Sequence, residues 1–159
     1  MEKVPKYFVV VFALSTAIAF LSGCSDQTIK EPLPPYDHTL DISELMHRVI
    51  EPASDIIWDS AGTIDTIDGR EDLAPTSDAE WLETMNAAAV LVESGNLLKL
   101  PSRSENRSDW IEIATGLSAV GHKLIAAAEA QNADIVFDEG GNLYNVCVAC
   151  HTRYWIKED

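Results

Sequence analysis

The stretch Val136-Phe137-Asp138-Glu139-Gly140-Gly141-Asn142-Leu143-Tyr144-Asn145-Val146-Cys147-Val148-Ala149-Cys150-His151-Thr152-Arg153-Tyr154 decides the fold. Val136, Gly140, Leu143, Cys147, Cys150, His151 and Tyr154 recur at three- and four-residue steps, the spacing of one helical face. A helix is therefore expected from about Ala133 to Trp155, weakened locally by Gly140-Gly141. Residues at i, i+3 and i+4 share a side of such a helix. Both thiols and the imidazole then project together.

Three more helices are expected ahead of it. Ile42, Leu45, Met46, Val49, Ile50, Ala53, Ile56 and Ile57 carry the same periodicity from about Leu40 to Ser60, with Asp41 or Ser43 as the cap. Pro52 lies inside this pattern and should kink it. Ser77 followed by Glu80 is a capping-box pattern. It opens a second helix with Trp81, Met85, Ala88, Ala89 and Val92 on its stripe, ending near Gly95-Asn96 or a turn later, before Pro101. A third starts after Ser108, with Trp110, Ala114, Leu117, Gly121, Leu124 and Ala128 on one face, and ends at Gln131-Asn132. Residues 61–76 read as a loop, with a weak hairpin signal around Asp68-Gly69. Strand signals are otherwise nearly absent. The expected fold is all-α, an antiparallel four-helix bundle of helices about 30 Å long.

Cys147-Val148-Ala149-Cys150-His151 is the C-x-x-C-H attachment signature of c-type haem. Two thiols one turn apart suit two vinyl groups, and the next imidazole suits the iron. Zinc would need further ligands, and there is no second Cys pair. A thioredoxin-like pair opens a helix after a strand, whereas this one sits late in a terminal helix. A simple disulfide gives the adjacent His no purpose. The expected prosthetic group is one covalent haem c near the end of the last helix, with His151 as proximal iron ligand.

The other side of the iron must be covered from a facing helix. At about 100° per residue, the first helix's stripe centres near Met46, Ala53, Ile42 and Ile57. Met46 is thus the candidate distal ligand, and a thioether suits an electron carrier. His47 lies at the stripe's edge or outside it. His122 projects off its helix's apolar face, and His38 falls in a tether. Arg103, Arg107 and Arg153 could each pair with a haem propionate, but each is expected to be solvated.

The chain's start carries a different signal. Lys3 and Lys6 precede an apolar run from Phe8 to Phe20, followed by Leu21-Ser22-Gly23-Cys24. The run is short for a membrane span. It suits a signal peptide ending in a lipobox. Residues 1–23 would be removed and Cys24 lipidated. Residues 24–38, with Pro32, Pro34 and Pro35, would form a tether to a domain at 39–159. Ser25 after the Cys favours the outer over the inner membrane, with the domain in the periplasm. Of three cysteines, only Cys147 and Cys150 remain once Cys24 is lipidated. The net charge of −15 argues against nucleic acid and suits a basic partner.

From residue 39 onward the chain resembles the cytochrome c-prime and cytochrome c-556 family, the class II cytochromes c. The resemblance rests on four helices with C-x-x-C-H near the end of the last and on Tyr154 three residues after the His. It also rests on Leu45-Met46-His47-Arg48-Val49-Ile50-Glu51-Pro52-Ala53 followed by Trp58, which is similar to a lipoprotein-like branch. The resemblance implies a left-handed bundle with His151 proximal and Met46 where the low-spin c-556 branch places its Met ligand. It also implies a possible homodimer. The long 61–76 loop and Gly140-Gly141 depart from the family pattern. The expected function is membrane-tethered electron transfer with a periplasmic or membrane redox partner. The alternative is a five-coordinate cytochrome that binds nitric oxide or carbon monoxide. No paired carboxylates or nucleophile–base arrangement suggests an enzyme.

Overall fold

The structure is a computed structural model that describes residues 36–155. It is mostly helical. In chain order it contains α1 (residues 42–58), β1 (Thr63–Thr66), β2 (Gly69–Asp72), α2 (Asp78–Leu98), the short α3 (Pro101–Ser104), α4 (Ser108–Glu129) and α5 (Ala133–Tyr154). The signal peptide at 1–23, Cys24 and most of the tether lie outside the described residues. Among the described residues no helix is long and apolar enough to cross a membrane.

The helix starts follow from local chemistry. Asp41 caps α1 by accepting from the Glu44 amide at 2.8 Å, and Glu44 reaches back to the Asp41 amide. Ser77 and Glu80 form the expected reciprocal pair at the start of α2. Asn132 Oδ1 accepts from the Ile135 amide at the start of α5. Each cap satisfies amides with no partner inside the helix, stabilising by about 1 kcal/mol.

The first helix departs from expectation. It contains a π turn, Met46–Ile50, between α-helical segments Ile42–Leu45 and Glu51–Trp58. The Glu51 amide reaches back five residues to the Met46 carbonyl. Pro52 lies one residue further on. It has no N–H to donate, and its ring crowds the carbonyl four residues back, that of Arg48. The wider turn relieves this crowding. It also shifts the helical phase by a residue, so Leu45 and Ile50 are both buried although five positions apart. Ala53 and Ile57 continue the stripe as expected. Ile42 and Met46 do not sit at its centre; both are half-buried at its margin.

Helices α2 and α4 make the most extensive contact. They run antiparallel. Trp110 Nε1, early in α4, donates to the Leu98 carbonyl at the end of α2, at 2.8 Å. Ser118 Oγ donates to the Val92 carbonyl at 2.9 Å, and Gly121 lies against Val92 and Ala88. Gly95 is where the two backbones come closest. An added Cβ there would collide with Ser118 Oγ and lie 2.6 Å from the Ala114 carbonyl oxygen. The α2 stripe also differs from expectation. Ala89 is exposed, while Leu91, Leu98 and the polar Thr84 and Ser94 are buried. Thr84 Oγ1 donates to Ser60 Oγ at 2.9 Å. Ser94 Oγ has no partner among the described residues.

Helix α5 packs antiparallel to both α4 and α1. Lys123 pairs with Glu139 at 3.1 Å, and Asp109 meets Tyr154 at the other end. Trp58 Nε1 donates to the Gly140 carbonyl at 3.1 Å. The helix runs unbroken through Gly140-Gly141. The weak hairpin signal corresponds to a real hairpin. Thr63 faces Asp72 and Thr66 faces Gly69, and Gly69 adopts φ 133° in the tight turn, open to glycine at little cost. All its strand residues are exposed.

Candidate functional site

The last turns of α5 carry Cys147, Cys150 and His151 on one side, as their spacing requires. They line a narrow apolar cleft with about 40 Å³ of accessible space. Helix α1 contributes Met46 and Ile50 to the same cleft, α2 contributes Leu98, and α4 contributes Trp110, Ile113, Ala114 and Leu117. The structure thus brings Met46 together with all three motif residues. The π turn matters here. It moves Met46 off the core stripe and leaves it at the cleft wall.

Cys147 and Cys150 are free thiols, half-buried. Burial pushes both thiols above their ordinary value. For Cys147 the adjacent Cys150 adds to the rise. For Cys150 the Arg107 guanidinium opposes it. Activated thiolates have depressed values; both thiols here shift the other way. Among the described residues no group of three or more His, Cys, Asp or Glu side chains is placed to hold a metal ion.

The other histidines stay away from the cleft. His47 points outward with 72% of its side chain exposed, and its Nδ1 lies 2.8 Å from Glu51 Oε2. His122 is exposed on α4. The His38 ring meets Ser102 Oγ at 3.2 Å. His151 itself is exposed, with its ring edge-on to Trp155 at 4.7 Å between centroids. The sequence signal for this contact is the i, i+4 spacing of His151 and Trp155.

The rim of the cleft is built around Asp109. Its Oδ2 accepts from the Tyr154 hydroxyl at 2.6 Å and pairs with Arg153 Nε at 2.5 Å. The Tyr154 hydrogen bond, more than any other group, holds the Asp109 carboxyl below its ordinary value. Tyr154 also packs edge-on against Trp110, centroids 4.9 Å apart. These contacts dock the turn after His151 onto the start of α4.

Of the three arginines, Arg153 is exposed as expected, whereas Arg103 and Arg107 are not. Arg103 is buried and donates to the Leu97 and Leu40 carbonyls at 3.2 and 3.0 Å. Arg153 is taken by Asp109. Arg107 is half-buried, its guanidinium 4.7 Å from the Trp110 ring centroid and 4.9 Å from that of Tyr154.

No family model matches the chain, and no curated protein or solved structure matches it.

Proposed function

We propose that this is a class II-like c-type cytochrome, a four-helix bundle tethered outside the cytoplasm through a lipidated Cys24 and serving in electron transfer. One observation carries the reading: Met46 of α1 and Cys147, Cys150 and His151 of α5 line a single apolar cleft. The donor set fits haem c. Two neutral, half-buried thiols one turn apart suit addition of each S–H across a vinyl C=C, which forms two thioethers with no leaving group. His151 follows immediately and supplies an imidazole on the same side. When bound, haem supplies a one-electron iron couple whose potential depends on axial ligands and burial.

This chain's residues would then divide the work. Cys147 and Cys150 hold the group covalently, and His151 ligates from α5. Met46 offers a thioether from the opposite wall. Ile50, Leu98, Ile113 and Leu117 exclude water. The acidic surface, at net charge −15, favours encounter with a basic redox partner.

The test is to express the full chain with haem-maturation machinery, then take a mass and visible spectra in both redox states. A haem-sized mass addition with a low-spin spectrum and a weak far-red methionine band is expected. Absence of the mass addition would overturn the proposal. A second reading, an open five-coordinate site for nitric oxide or carbon monoxide, has its own support. Met46 is only half-buried, and Leu45 and Ile50 on either side of it take the more buried places. A persistent high-spin spectrum would select that reading.

A further inference from the structure

We propose that Arg107 is the carboxylate-binding cation of this cleft, and that the carboxylate it takes is a propionate of the tetrapyrrole. The inference rests on the haem reading above and adds a positioning residue to it.

The case starts from what the three nearby arginines already do. Arg103 is spent on two backbone carbonyls. Arg153 is paired with Asp109. Arg107 donates through Nε to the Ser104 carbonyl at 3.1 Å and through Nη2 to the Arg103 carbonyl at 3.2 Å. These bonds fix the guanidinium but leave its charge without a carboxylate partner among the described residues. Asp109, two residues on, is engaged by Arg153 and Tyr154.

Its position is specific. Arg107 lies over Trp110, which lines the cleft beside Cys150 and His151. Its other ring contact is Tyr154, one turn beyond Cys150. A chain with 26 acidic and 11 basic side chains has acidic partners to spare. Yet one fixed, half-buried cation at the cleft rim has none among the described residues. A planar guanidinium already stacked on aromatic faces presents its remaining N–H groups in a fork that matches a carboxylate. The competing role is structural: Arg107 would only clamp Trp110 against Tyr154.

Haem-loaded, full-length R107Q and R107K separate the two roles, read by midpoint potential against pH. A cation near the iron favours the reduced, less positive state. R107Q should therefore shift the reduction equilibrium about tenfold toward the oxidised form, a fall of about 59 mV for one electron. The carboxylate titration seen in the pH profile should move upward, because the ionised carboxylate loses its partner. R107K should recover most of the potential, since it keeps the charge. R107Q with an unchanged potential and pH profile, whatever its thermal stability, would leave Arg107 a structural clamp and overturn the inference. If R107Q fails to fold, the wild-type protein still decides. A haem carboxylate that titrates at the ordinary carboxylate pH in wild type overturns the inference, and one held well below it supports it. Wild type with no haem-sized mass overturns the functional reading itself, so the two failures are distinct.

Discussion

The Tyr154 hydroxyl donates to Asp109 Oδ2 at 2.6 Å, tying the turn after His151 to the first turn of α4. The bond moves both groups: Asp109 is held below its ordinary value of 3.8, and the Tyr154 phenol is raised above 10.0. A lowered carboxyl contributes stability above its unfolded-state value, about 3.9. That contribution fades as pH falls through the folded value. A raised phenol contributes below its unfolded value and fades as pH rises through the folded one. In Y154F the Asp109 titration followed by NMR should move up toward 3.8, and the acid-side loss of stability should shrink. An unmoved Asp109 titration would mean that Arg153 alone sets it.

Met46 and His47 are neighbours with opposite exposures, and their variants separate the ligand hypotheses. In the haem-loaded protein, M46A should convert a low-spin spectrum to high-spin. H47A should leave it unchanged, because His47 faces away and is held by Glu51. A spectrum lost in H47A but kept in M46A would reverse the assignment.

Gly95 has no room for a methyl group between α2 and α4. G95A should lower stability by about 1–3 kcal/mol, the usual cost of overpacking. The measurement is the denaturant midpoint at unchanged m-value. G141A is the control for the added methyl group, since a Cβ there meets nothing within 4 Å.

Ser94 presents the opposite case. Its hydroxyl is fully buried with no partner among the described residues. Such a group costs desolvation without return, so S94A should raise stability by about 1 kcal/mol. A loss instead would reveal a partner such as an ordered water.

Much of this was legible before the structure because the signals are local. Ser77 and Glu80 mark the start of α2, and the run from Trp110 to Ala128 follows a single helical period that the structure keeps. The C-x-x-C-H spacing placed Cys147, Cys150 and His151 on one side for the same reason. What escaped the sequence depends on distant groups or broken periodicity. Arg103 is buried because Leu40, 63 positions earlier, presents a carbonyl to it. Ala89 turns outward and Leu91 inward because α4, not the α2 pattern, decides which face is covered. An uninterrupted α-helix would put Met46 at the centre of its stripe. The π turn interrupts it, yet leaves Met46 in the cleft.

That turn gives α1 one residue more than its length needs. Removing Arg48 would let the two α-helical segments join in ordinary register with both of their buried faces kept, so the helix should tolerate that deletion better than one elsewhere in α1. A single insertion there would instead rotate the upstream segment about its axis and present a different side chain to the cleft. Under the proposed haem reading, a change of axial ligand, and with it a change from electron carrier to gas binder, would be one codon away without any substitution in the core.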